Sequence, residues 1–145
     1  MDVCCYNRPM DDQTQHRIYV ETEAILRILK DSEQEGWDLI GSTLVNYELD
    51  RHSDTAKQQK AYSFYEYAKE TYDVLDFLET GVRANVFQSL GMGALDSLHL
   101  AVSEYAKADV LLTTDDDFIK TAKRTDSKVR VINPLLWLME ALDNE

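Results

Sequence analysis

The sequence predicts an α/β fold with a parallel sheet covered by helices on both faces. Three observations lead there. Short apolar runs alternate along the chain with longer segments of helical period. The clearest run, Asp109 to Thr114, is of the buried type and ends in polar residues, as strands covered on both faces do. Acidic residues stand where apolar segments end or helices begin, and parallel sheets gather their sites at that edge.

The elements follow in order. From about Gln13 to Lys30, Ile18, Thr22, Ile25 and Leu29 recur at helical spacing, and Leu26 and Ile28 widen the stripe. Gly36 opens a short apolar run, Trp37 to Gly41, which reads as a strand. Ser42 or Thr43 can cap a helix carrying Leu44, Val45, Glu48 and Leu49. Ser53 or Asp54 begins the next, with Ala61, Phe64, Tyr65 and Ala68 on one face. Tyr72 to Phe77 reads as a strand. Glu79 to Leu90 reads as a helix that stops at Gly91-Met92-Gly93. A further helix runs from about Ala94 to Lys107 and leads into the Asp109–Thr114 strand. Asp115 to Arg124 is a helix with acids in its first turn, where they complement the helix dipole. Val129 to Ile132 is the last strand. Pro134 starts a C-terminal helix, Leu135 to Leu142, so apolar on nearly all sides that part of it is expected in a core or a subunit contact.

Length and composition narrow the class. A chain of 145 residues fits one domain, residues 1–145, and 44% hydrophobic content supports a real core. No segment approaches the ~18 apolar residues needed to span a bilayer, and no signal peptide is visible. Cys4 and Cys5 are adjacent, so they form neither an ordinary disulfide nor a zinc site. They read as small buried side chains in a reducing cytoplasm. The net charge of −12 leaves no broad basic footprint, so non-specific binding to duplex nucleic acid is expected to be weak. A basic protein partner suits such a surface.

Four acids far apart in sequence carry the chemistry: Asp2, Glu48, Asp96 and Asp115. Brought to one point, such carboxylates repel, and a divalent cation relieves the repulsion. The first reading is therefore a hydrolytic site for Mg²⁺ or Mn²⁺. Asp96, His99 and Ser103 fall on one helix face, and His99 reads as a supporting or core histidine. Thr113 and Thr114 offer hydroxyls beside Asp115. Asp116 and Asp117 read as first-turn acids. Lys120, Lys123, Arg124, Lys128 and Arg130 lie in a stretch with one acid, Asp126, which makes it the local candidate for phosphate contacts. Arg8, Arg51 and Arg83 are secondary candidates.

With these residues in place, the chain resembles the PIN-domain family of metal-dependent ribonucleases. The opening Asp2-Val3-Cys4-Cys5-Tyr6-Asn7-Arg8-Pro9-Met10-Asp11-Asp12-Gln13 carries the likeness. So do Ala94-Leu95-Asp96-Ser97-Leu98-His99-Leu100-Ala101 and Leu111-Leu112-Thr113-Thr114-Asp115-Asp116-Asp117-Phe118. The resemblance implies a three-layer α/β/α sandwich around a central parallel sheet of four or five strands. It implies a metal-binding, catalytic cluster of Asp2, Glu48, Asp96 and Asp115, with Asp117 as an accessory acid and Thr113 assisting. It further implies a cytoplasmic endoribonuclease that leaves a 5′-phosphate and a 3′-hydroxyl. Such a protein is often a homodimer, and often the toxin held inactive by a small cognate antitoxin. The alternative is a PIN-like module that binds RNA or a protein partner with impaired chemistry.

Overall fold

The computed structural model of the protein describes residues 1–74 and 78–144. Eight α-helices and four strands follow one another among these residues. They are α1 (Val3–Asn7), α2 (His16–Asp31), β1 (Ile40–Ser42), α3 (Thr43–Asp50), α4 (Thr55–Tyr65) and β2 (Glu70–Tyr72). Next come α5 (Leu78–Ser89), α6 (Ala94–Tyr105), β3 (Val110–Leu112), α7 (Asp116–Ala122), β4 (Arg130–Ile132) and α8 (Pro134–Asp143). No helix among the described residues is long and apolar enough to cross a membrane.

The predicted central sheet of four or five strands is not what forms. About 60% of the chain is helical, and among the described residues the strands pair two by two. β1 runs parallel to β2, and β3 runs parallel to β4. The local cause lies at the N-terminus. Asp2 caps α1, its carboxylate accepting the Val3 N–H at 2.7 Å. Residues 1–2 contribute one backbone bond to β3, from Asp2 N–H to Leu112 C=O at 2.9 Å, and among the described residues no strand bridges the two pairs. The predicted three-layer sandwich is corrected accordingly.

Individual elements agree better with expectation. The strand expected over Trp37–Gly41 forms at Ile40–Ser42, because Ser42 has extended backbone and caps α3 through the Leu44 N–H. The strand expected over Tyr72–Phe77 forms earlier, at Glu70–Tyr72, and its residues 75–77 lie outside the described residues. Asp54 caps α4 and Asn133 caps α8, whose first residue is Pro134. α6 ends where Lys107 takes a positive φ of 56°.

Packing explains why β3 and β4 hold. Side chains alternate across a strand. Leu112 and Ile132 enter one apolar cluster with Ile25, Ile28 and Leu29 of α2 and Leu138 of α8. Leu111 and Val131 enter a second with Phe87, Leu100 and Phe118 from α5, α6 and α7. The β3–β4 pair is thus a wall between two cores. Burial of one such leucine stabilises by roughly 2 kcal/mol. A third cluster joins Tyr6, Val45, Leu49, Ala61 and Tyr65. The C-terminal helix is half in the core: Leu138 is buried and Trp137 meets Trp37 edge-on at 4.7 Å, while Leu136 and Met139 are exposed.

One glycine is dictated by close approach. A Cβ at Gly41 would lie 2.5 Å from Tyr65 Oη. That hydroxyl donates to Ser42 C=O and reaches Asn46 Oδ1, both at 3.0 Å, so it has little room to shift. Gly41→Ala is expected to destabilise the protein by about 1–3 kcal/mol. A lower urea midpoint at unchanged slope checks it, and an unaltered midpoint would contradict the packing described.

Candidate metal centre

The site forms where the ends of β1 and β3 meet the starts of three helices. Asp2 is nearly inaccessible and stands at the N-terminus of α1. Its Oδ2 accepts the Thr113 hydroxyl at 2.8 Å and also meets the Cys4 thiol. Thr113 follows β3 directly and is itself buried. Its Oγ1 also accepts the Asp115 N–H at 3.1 Å, so one hydroxyl ties Asp2 to the backbone of Asp115.

Glu48 projects from α3, one and a half turns after the Ser42 cap. His99, buried on α6, brings its Nε2 to 2.6 Å from Glu48 Oε2 and 3.5 Å from Asp2 Oδ1. Ligating atoms of Asp2, Glu48 and His99 all lie within 4.8 Å of one another. His99 therefore stands inside the cluster rather than behind it. Sequence reasoning places it in support because the chain holds only one acid–histidine pair at that spacing, and its partner, Glu48, lies 51 positions away. The available signal was its position one turn after Asp96, on the same helix face.

Asp96 is half-buried in the first turn of α6. Its carboxyl is pushed up to about 6, first by desolvation and then by the negative charges of Asp2 and Asp115, with Glu48 adding less. The other three expected acids therefore all act on Asp96. Asp115 is exposed and its Oδ1 caps α7, accepting from Asp117 N–H at 2.9 Å and Phe118 N–H at 3.3 Å. Asp117 is exposed beside it. Asp116 is not part of the cluster: Arg17 holds it bidentately at 2.6 and 2.8 Å and lowers its carboxyl below the usual range.

The donor set fits a divalent cation. It is oxygen-rich, as Mg²⁺ and Mn²⁺ prefer, and its single imidazole leans toward Mn²⁺. The mutual repulsion seen at Asp96 is the charge imbalance a cation would relieve.

The basic residues separate into two kinds. Arg8 is engaged: it pairs with Glu21 at 2.8 Å and Asp11 at 3.1 Å, so it does not face a ligand. Arg83 is held by Glu104 and Asp126, and Arg130 by Glu140. Lys120, Lys123 and Arg124 are exposed on and just after α7, the helix that Asp115 caps. Both cysteines are free thiols, Cys5 buried and Cys4 partly so. Comparison with protein-family models, curated proteins and solved structures finds no match to this chain.

Proposed function

We propose that the protein is a metal-dependent endoribonuclease of the kind its PIN-domain resemblance implies. The observation that carries this reading is the convergence of Asp2, Glu48 and His99 within 4.8 Å, beside an Asp96 whose proton affinity is raised by its acidic neighbours. Asp2, Glu48, Asp96 and Asp115 would hold Mg²⁺ or Mn²⁺, with His99 as a further donor. Bound there, the cation supplies an activated water and neutralises charge developing on the scissile phosphate.

The chain's own residues do the rest. Thr113 orients Asp2 through the 2.8 Å hydrogen bond and holds the backbone of Asp115 in register with it. His99 keeps Glu48 turned inward. Lys120, Lys123 and Arg124 meet the RNA backbone on the rim, where phosphate contacts set position rather than sequence. Asp117, exposed next to Asp115, is the accessory acid. The net charge of −12 favours a partner with a basic segment, which supports a small cognate antitoxin as the regulator. In that setting the protein is a cytoplasmic toxin and a homodimer.

A second reading draws on one contact. The Glu48–His99 bond at 2.6 Å would let the imidazole satisfy the Glu48 carboxylate without a cation. The domain would then bind RNA or a protein partner without efficient turnover.

The experiment is incubation with mixed-sequence RNA in Mg²⁺, Mn²⁺ or EDTA, beside Asp2→Asn. Cleavage that needs the cation and is lost in Asp2→Asn is the expected result. Retention of RNA by folded parent protein, with no new 5′-phosphate ends in either cation, selects the binding module.

A further inference from the structure

The arginines divide by the partner they keep. Arg8, Arg17, Arg27, Arg83 and Arg130 each hold a carboxylate. Arg51 and Arg124 form no ion pair among the described residues, in a chain of 27 acids against 15 lysines and arginines. Arg124 follows α7, the helix that Asp115 caps, and Arg51 closes α3, the helix that carries Glu48. Both uncommitted arginines therefore stand on elements that deliver an acid to the cluster. A cation at the C-terminal end of a helix is favoured by the dipole alone. The dipole does not account for where the Arg51 side chain goes.

Arg51 folds back over Tyr47. Its Nη1 donates to Tyr47 Oη at 2.9 Å, and its guanidinium carbon lies 5.2 Å from the ring centroid. Tyr47 nonetheless stays 50% exposed. The ring is thus held in position and open to solvent at once, unlike Tyr6 and Tyr65, which are buried in a core. Residues three and four apart share a helix face. Arg51 is four places after Tyr47 and three after Glu48, so the three lie side by side on α3. Leu44, Val45 and Leu49 supply the buried face of that helix. Asp50, exposed on the same helix, is bound by the Tyr62 hydroxyl of α4.

An aromatic ring braced by a guanidinium suits one part of a nucleic acid strand. Phosphates go to cations, whereas unpaired bases stack on aromatic and guanidinium faces. Lys120, Lys123 and Arg124 offer the first kind of contact on the α7 side of the cluster. Tyr47 and Arg51 offer the second kind beside Glu48.

We propose that Tyr47, braced by Arg51, is a nucleobase platform. It stacks an unpaired base of the strand whose phosphate lies at the acid cluster. The inference rests on the nuclease reading and adds to it the subsite that takes a base. Stacking tolerates every base because each has a π face, so the platform favours the presence of a base over its identity.

The test uses short single-stranded RNAs, intact or lacking the base at one nucleotide in turn. Affinity is read in Ca²⁺ and cleavage in Mn²⁺, for the parent, Tyr47→Phe and Tyr47→Leu. Tyr47→Leu is expected to weaken binding of intact RNA by about tenfold, and Tyr47→Phe by no more than about twofold. At one abasic position the parent is expected to lose about tenfold and Tyr47→Leu nothing further, because the same contact is already gone. Tyr47 is half exposed, so Tyr47→Leu is expected to melt with the parent. Equal affinity of parent and Tyr47→Leu for intact RNA would overturn the proposal. So would equal losses by both proteins at every abasic position, or a parent that binds no RNA. A parent that shows the expected affinities but leaves the RNA whole in Mn²⁺ would sink the nuclease reading and keep the platform. Cation-dependent cleavage with no effect of Tyr47→Leu on affinity would do the reverse.

Discussion

Asp96→Asn is expected to cut cation-dependent RNA cleavage by about a hundredfold or more while making the cation-free protein more stable at pH 7.5. The two effects have one origin. The Asp96 carboxyl is raised to about 6 by desolvation and by Asp2 and Asp115. An unfolded aspartate titrates near 3.9. Between these values the folded state binds the proton and the unfolded state does not, so stability falls as pH rises through this window. Above about pH 6 the penalty is complete. Two units of displacement set an upper limit of roughly 3 kcal/mol, and partial solvent access reduces it to about 1–2 kcal/mol. Asparagine removes that penalty, so the variant's advantage should be present at pH 7.5 and absent near pH 4. It also removes a charged ligand, and about 3 kcal/mol of lost transition-state stabilisation is about a hundredfold in rate. Melting curves at both pH values, with and without Mn²⁺, check the first effect. Identical curves for parent and variant would mean that the acids do not crowd. Unchanged cleavage would remove Asp96 from the site.

Glu21→Ala is expected to cost about 3 kcal/mol, the largest stability loss outside the apolar clusters. Glu21 is an acidic residue only 1% exposed. One carboxylate oxygen accepts from Arg8 at 2.8 and 3.2 Å and from Arg17 at 3.2 Å. The other accepts from the Asn133 side chain, whose own oxygen caps α8. Arg17 in turn grips Asp116 and the Thr114 carbonyl. Removing Glu21 leaves Arg8, with 18% of its side chain accessible, without its buried partner. It also removes the contact that steadies Arg17, the residue joining α2 to Asp116 of α7. Glu21→Gln keeps the acceptor and is expected to lose less. Chemical denaturation of the two variants checks this, and an alanine variant as stable as the glutamine one would refute the charge argument.

Much of the local structure was legible because it is written in short-range chemistry. The Ile18, Thr22, Ile25 and Leu29 spacing gives α2, whose Thr22, Ile25 and Leu29 are buried. Ser42, Asp54 and Pro134 mark helix starts that the structure keeps. The pairing of strands was not legible. Periodicity reports that Leu111 and Leu112 face opposite ways, but not that among the described strands β3 pairs with β4 alone. α1 was missed because its five residues, Val3 to Asn7, are too few for a periodic signal and the opening was read for its acid. In the site, Asp2, Asp96 and Asp115 stand in the sequence as charges at element ends, and Glu48 as an acid inside its helix. The direct contact of His99 with Glu48 was not legible, since nothing local links α6 to α3. The tie of Arg8 to Glu21 escaped for the same reason, so a buried structural cation resembled a ligand-facing one.

Asp2 serves three neighbours at once: it donates to β3, caps α1 and shares Thr113 with Asp115. Its carboxylate is therefore a shared resource. A cation held by Asp2 would compete with the Val3 N–H for that carboxylate, and an N-cap is worth about 1 kcal/mol. Occupancy of such a site and order in α1 would then be thermodynamically linked.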